Sequence, residues 1–149
     1  PIWLVAQSLR DPGTLGTMLR TGDAVGAGGL ILLDDSADPF SVEAVRASMG
    51  AVFTQAVAQA SWADFIAWLR DGPGQLVAAS LRDAQPYREA SYEAPCFLMV
   101  GNESRGLPEA YEGACDLRVT MPMKGRADSL NAAIAGAVLA YEALAHLDR

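Results

Sequence analysis

Three short stretches of this sequence hold residue types that could do chemistry. The first is Asp11-Pro12-Gly13-Thr14-Leu15-Gly16-Thr17-Met18-Leu19-Arg20-Thr21. A glycine-rich turn feeding a helix exposes backbone N–H groups that suit an anion or a ligand carboxylate. Arg20 falls one and a half turns into that helix. Standing alone, such an arginine reads as a solvated surface charge. The second is Gly101-Asn102-Glu103-Ser104-Arg105-Gly106-Leu107-Pro108. It lacks the Gly-Lys-Ser/Thr ending of a P-loop and the glycine spacing of a dinucleotide fingerprint. Glu103 beside Arg105 also reads as a local ion pair. The third is Met121-Pro122-Met123-Lys124-Gly125-Arg126-Ala127-Asp128-Ser129-Leu130-Asn131. Here Ser129 reads as the N-cap of a closing helix. Asn131 then sits in the first turn, where it is a poor helix former with no capping duty and is free to hold a ligand. Met121 and Met123 flank a proline and could line an apolar slot.

The elements that must position these stretches follow from periodicity. Ile2 to Ala6, Leu30 to Leu33, Val52 to Thr54, Leu76 to Ala79, Cys96 to Val100 and Asp116 to Thr120 read as strands. Helical spacing of Leu15, Met18 and Leu19 predicts a helix over Thr14 to Ala24, after a turn at Asp11-Pro12-Gly13. Ser41 and Ser61 read as N-caps of two further helices, the second broken by Asp71-Gly72-Pro73-Gly74. Residues 82–95 read as loop. A long alanine-rich helix runs from Ser129 to Leu147. Strands that alternate with helices and read as unbroken apolar runs predict a parallel sheet covered on both faces. The second stretch directly follows a strand, and open α/β sheets bind ligands at the carboxyl ends of their strands. No repeat or linker is visible, so residues 1–149 read as one α/β domain.

Composition bounds the partners. The chain has 149 residues, 51% of them hydrophobic, which suffices for a real core. No apolar run approaches the roughly 20 residues of a membrane span. No signal peptide is visible, and the chain begins on Pro1, so a preceding segment is expected. Two cysteines, Cys96 and Cys115, form no recognisable disulfide or zinc pattern and fit a reducing cytoplasm. The single His146 has no partner in sequence, so no metal is expected. A net charge of −7 argues against a general nucleic-acid binder. Yet Arg10, Arg20, Arg105, Lys124 and Arg126 all fall in or beside the three stretches, so an acidic body could carry a basic mouth. The last helix is apolar all round between Ala132 and Ala140. Such a helix must be buried on most sides, either within a monomer or partly against a second subunit; for so short a chain the second reading is preferred.

Taken together, in this order and at these distances, the three stretches resemble the SpoU family of the SPOUT superfamily of RNA methyltransferases. In that family the first motif reads Asp-Pro-x-Asn-x-Gly with Arg-Thr four residues on. The second reads Gly-x-Glu-x-x-Gly-Leu, and the third is an Ile-Pro-Met strand end leading to Ser-Leu-Asn. The resemblance covers Arg10 to Glu142. It implies a parallel sheet flanked by helices with a C-terminal trefoil knot across the second and third motifs. It implies S-adenosylmethionine as cofactor, a homodimer, and methyl transfer to a ribose 2′-hydroxyl of rRNA or tRNA. Many members carry an N-terminal RNA-binding domain, expected here in a missing preceding part. By motif, the cofactor should touch Gly101, Met121 and Leu130, with Ala79 and Met123 as neighbours. Arg20, Glu103, Ser129 and Asn131 match the functional positions, Arg20 also facing RNA. Thr14 stands where the family has Asn; it keeps a hydroxyl but loses the amide geometry.

Three other readings remain. One is a cofactor-binding module that no longer catalyses, motivated by Thr14 and the acidic charge. Another is a methyltransferase acting on a nucleobase. The third, an ordinary dinucleotide enzyme, is disfavoured by the missing glycine fingerprint.

Overall fold

Alternation along β1 (Ile2–Gln7) sets the layout of the molecule. Successive strand side chains point to opposite faces. Ile2, Leu4 and Ala6 enter one core cluster, while Val5 enters another, with Trp3 packed against it. The computed structural model describes residues 1–148. In it, β1 is joined by β2 (Leu30–Leu33), β3 (Val57–Ala60), β4 (Gln75–Ala79), β5 (Gln85–Pro86), β6 (Cys96–Val100) and β7 (Leu117–Thr120). They form one sheet in the order β3-β2-β1-β6-β4-β7-β5. Every pairing is parallel.

Helices cover both faces, as the apolar runs required. On one side, α1 (Pro12–Ala24) contributes Leu15, Met18 and Leu19, and α5 (Ala132–Leu147) contributes Leu139, Ala140 and Ala143. Ala44 of α2 (Val42–Ser48) joins the same cluster. On the other side lie Phe65 and Leu69 of α3 (Trp62–Arg70), with Tyr111 of α4 (Glu109–Gly113) packed against them. Each leucine buried at the centre, such as Leu4, Leu32 or Leu98, contributes about 1.5–3 kcal/mol. Gly16 lets α1 meet α2 closely: a Cβ there would stand 2.3 Å from the Ala44 carbonyl oxygen.

Several expectations are corrected. Val52 to Thr54 is not a strand. Ala51–Phe53 is a 3-10 turn that follows left-handed residues at Met49 and Gly50. Val52 is buried there, but Phe53 is 81% exposed. The third strand is instead Val57–Ala60, an edge strand that pairs only with β2. Asp11-Pro12-Gly13 is not a separate turn: Asp11 caps α1 and Pro12 opens it, where its missing N–H costs nothing. The last helix starts at Ala132, not Ser129, and its N-cap is Asn131, whose Oδ1 accepts from Ala133 N at 2.8 Å. The loop over residues 82–95 contains the two-residue β5, and α4 went unforeseen. His146 is not without partners. Its Nε2 lies 3.4 Å from Glu142 Oε1, and its ring meets Tyr92 edge-on.

Both cysteines are free thiols, and burial pushes each up to about 12. Among the described residues no three His, Cys, Asp or Glu side chains converge, and no helix is long and apolar enough to cross a membrane.

Candidate active site

The carboxyl ends of β4, β6 and β7 open into one cleft of about 390 Å³. Three connections build it: the turn after β4, the loop after β6, and the irregular stretch between β7 and α5. The second and third motifs supply the latter two, so sequence-distant stretches meet because their strands are neighbours in the sheet. Ligand binding at strand carboxyl ends is the rule for open α/β sheets.

All five residues expected at a cofactor line this cleft: Ala79, Gly101, Met121, Met123 and Leu130. Glu103, Arg105 and Ser129 line it too. Gly101 has a structural reason of its own. A Cβ there would lie 2.3 Å from the carbonyl carbon of Gly106 and 2.4 Å from Leu107 N, so the loop can fold back on itself only with glycine. Asn102 fastens the loop. Its Oδ1 accepts from Ser104 N and Arg105 N, and its Nδ2 donates to Ser8 O at 2.7 Å.

The first motif is tied to the cleft through the same loop. Arg10 N donates to Glu103 Oε1 at 3.0 Å. Glu103 therefore forms no ion pair with Arg105; it bridges two motifs 93 residues apart. The Arg10 guanidinium meets Asp35 at 2.7 Å. Arg20 is exposed on α1 and lies outside the cleft lining, and among the described residues its guanidinium has no ion-pair partner. Thr14 is placed differently from a ligand-facing residue. It is buried, and its hydroxyl donates to Asp11 Oδ2 at 2.7 Å, at the start of α1. Asn131 is exposed at the cap of α5, outside the lining. Lys124 and Arg126 are exposed in the stretch before α5 and do not line the cleft.

The polar lining residues Ser80, Arg82 and Glu112 lie outside the three motifs and were not foreseen, and Asp128 lies in the third motif with no role assigned to it. Ser80 follows the end of β4 directly, so the strand-end rule that pointed to Ala79 could have found it. Arg82 bridges to Glu109 and Glu112 of α4, and α4 itself gave no sequence signal. A further network braces the site from the other side of the sheet. Asp34, left-handed at the end of β2, accepts from Tyr111 OH at 2.6 Å, Gln7 Nε2 at 3.2 Å and Trp62 N at 3.1 Å. Tyr111 also stacks on Trp62, with ring centroids 4.1 Å apart.

The cleft has the chemistry of a slot for an amphipathic cation. Its walls are apolar: Ala79, Val100, Leu107, Val119 and Met121. Its charged groups are three carboxylates (Glu103, Glu112, Asp128) and two guanidiniums (Arg82, Arg105). The excess of negative charge favours a positively charged guest.

Comparison with known proteins agrees with this geometry. The model of the SpoU rRNA Methylase family matches residues 1–141. A 23S rRNA (guanosine(2553)-2'-O)-methyltransferase, RlmP, of Bacillus subtilis is 34% identical over 93% of this chain and 56% of its own length. A 23S rRNA (uridine(2479)-2'-O)-methyltransferase of Streptomyces viridochromogenes is 35% identical over 90% of this chain and 49% of its own. The crystal structure of an AdoMet-bound rRNA methyltransferase from Sinorhizobium meliloti superposes with a TM-score of 0.95 at 44% identity, covering 98% of this chain and 56% of that one. The chain thus spans about half the length of the curated relatives it matches. With its three motifs gathered at the carboxyl edge of a parallel sheet, the chain belongs to the SpoU rRNA methylase family.

Proposed function

We propose that this chain is the catalytic domain of an S-adenosylmethionine-dependent methyltransferase that acts on a ribose 2′-hydroxyl of rRNA or tRNA. One observation carries the reading: motifs two and three form a single cleft, and Glu103 fastens the Arg20-bearing motif to its rim. Relatives named as 2'-O-methyltransferases of 23S rRNA support it. The cofactor, when bound, supplies a methyl group on a sulfonium centre.

The residues of the chain divide the remaining work. The walls at Ala79, Gly101, Met121, Met123 and Leu130 hold the cofactor and exclude water. Glu103 and Ser129 shape the rim. Asn131 fixes the first turn of α5. Thr14, tied to Asp11, holds the start of α1 and so orients Arg20. Arg20 grips the phosphate beside the target ribose and stabilises negative charge growing on the 2′-oxygen. A guanidinium stays protonated in proteins, so Arg20 positions and stabilises rather than removing the proton, and the hydroxyl proton passes to solvent water as the oxygen–methyl bond forms and the sulfur–methyl bond breaks. Holding two reactants in line can supply roughly 7–11 kcal/mol of the barrier. Arg10, Arg105, Lys124 and Arg126 add phosphate contacts; the Arg10–Asp35 pair is exposed on both sides and exchanges easily for RNA.

The reading extends to the whole protein. We propose a homodimer joined partly through α5, a trefoil knot formed by the β6 to α5 segment, and a preceding RNA-binding domain that adds to the phosphate contacts of Arg10, Arg105, Lys124 and Arg126. The expected compartment is the cytoplasm.

Transfer of labelled methyl groups to RNA tests the activity, and alkaline digestion assigns the position. A 2′-O-methyl group blocks cleavage at that one linkage. A product fully cleaved by alkali would point to nucleobase methylation. Cofactor binding without transfer to any RNA would point to the non-catalytic module.

A further inference from the structure

Asn102 uses its side chain on two distant parts of the chain. Its Oδ1 accepts from Ser104 N at 2.9 Å and from Arg105 N at 3.0 Å, which curls the loop after β6. Its Nδ2 donates to the Ser8 carbonyl at 2.7 Å, across 94 residues of sequence. Ser8 follows β1 in the left-handed region, at φ 49°, where a residue with a Cβ is strained. Such a conformation persists only where its surroundings hold it. Ser8 N donates to Leu33 O at 2.9 Å, Gln7 Nε2 donates to Ser8 Oγ at 2.9 Å, and Asn102 takes the carbonyl. Among the described residues no other group donates to that carbonyl.

The strained residue stands where the strand must turn into α1. Just beyond it, Arg10 N donates to Glu103 Oε1, so the same loop takes hold of the junction a second time. Asp11 then caps α1, the helix that carries Arg20. Accepting from two N–H groups while donating to a carbonyl calls for a carboxamide; an ionised carboxylate can only accept. We propose that Asn102 is a positioning residue for methyl transfer: it holds Ser8 in its left-handed conformation and so sets the start of α1, and with it Arg20, relative to the cleft. This rests on the part given to Arg20 above.

Asn102→Asp tests it, because it keeps the acceptor for Ser104 and Arg105 and removes the donor to Ser8. Calorimetry with S-adenosylhomocysteine should find an affinity within about threefold of native, since the loop keeps its curl. With unmodified rRNA and tRNA transcripts as acceptors, kcat should fall about tenfold while the KM for S-adenosylmethionine stays within about threefold. Amide exchange at Leu9 and Arg10 should quicken. Glycine adopts the left-handed region without strain. Ser8→Gly added to Asn102→Asp should therefore recover at least about threefold in kcat, whereas Ser8→Ala, which keeps the strain, should recover none. If Asn102→Asp does not fold, Asn102→Ser is held to the same outcomes, since its hydroxyl still caps the loop but is too short to reach Ser8. A native kcat in the Asn102 variant, or equal recovery by Ser8→Gly and Ser8→Ala, overturns the assignment and leaves the methyltransferase reading intact. Failure of the native chain to methylate either class of transcript removes that reading and this inference with it.

Discussion

Thr14 and Arg20 share one helix but face different surroundings. Thr14 is buried and bonded to Asp11; Arg20 is exposed. The threonine hydroxyl is engaged at the helix start, where it donates to Asp11. Replacing it with the isosteric Thr14→Val leaves Asp11 Oδ2 without that donor. Urea unfolding should show a loss of about 1 kcal/mol, the usual net value of one such bond, with cofactor affinity unchanged. Arg20 behaves oppositely. Arg20→Ala should leave stability and cofactor binding untouched and lower methyl transfer about a hundredfold or more. Arg20→Lys should rescue little of it, because an ammonium cannot make the planar two-point contact with phosphate. An alanine variant that turned over at the native rate would remove Arg20 from the reaction.

Between elements, the bond from Tyr111 to Asp34 joins α4 to the end of β2, and through α4 it braces the cleft. Burial alone would raise the Asp34 carboxyl, but hydrogen bonds from Tyr111, Gln7 and the Trp62 N–H outweigh it and hold the group below its ordinary value. Burial, then the hydrogen bond to Asp34 and its charge, pushes the Tyr111 phenol from 10 up to about 12. The signs follow from linkage. A carboxyl lowered in the folded state adds stability above its unfolded value, and that stability is lost as pH falls through the folded one. A phenol raised in the folded state adds stability that is full below its unfolded value of 10 and is lost as pH rises to about 12. Tyr111→Phe should therefore cost about 1 kcal/mol at neutral pH. Its deficit against the native chain should shrink between the ordinary and raised phenol values. A deficit that stayed constant across that alkaline window would show that the phenol contributes only by packing.

At the scale of the molecule, α5 has one face in the core and another in solvent. Ala133, Leu139, Ala140 and Ala143 are buried against α1 and the sheet. Ile134 is 52% and Tyr141 55% exposed on the same helix. Large apolar side chains left on a helix this hydrophobic suit a subunit contact. Sedimentation should find a dimer in the native chain. Ile134→Glu should shift it to monomer with little change in helix content, because the residue is outside the core. A native chain that sediments as a monomer at micromolar concentration would refute the dimer.

Periodicity by itself determined the parallel α/β layout and four of the five principal helices, and the resemblance carried by the three motifs pointed to residues that line the cleft at the strand ends. Short apolar runs such as Cys96 to Val100, bounded by turn residues, fit strands covered on both faces, and glycine turns at strand ends mark ligand loops. What the sequence could not resolve depends on contacts between distant residues. Val52 to Thr54 has strand-like composition, but left-handed residues before it and the free edge of β2 beside Val57–Ala60 decide which segment pairs. Ser129 and Asn131 are both good caps; only the path of the chain out of β7 selects Asn131. Glu103 reads locally as the partner of Arg105, yet the β1–β6 pairing brings Arg10 to it instead. Glu112 has no signal in sequence, because its meaning lies in Ser80 and Arg82, which reach it only when β4 lies beside β6 in the folded sheet.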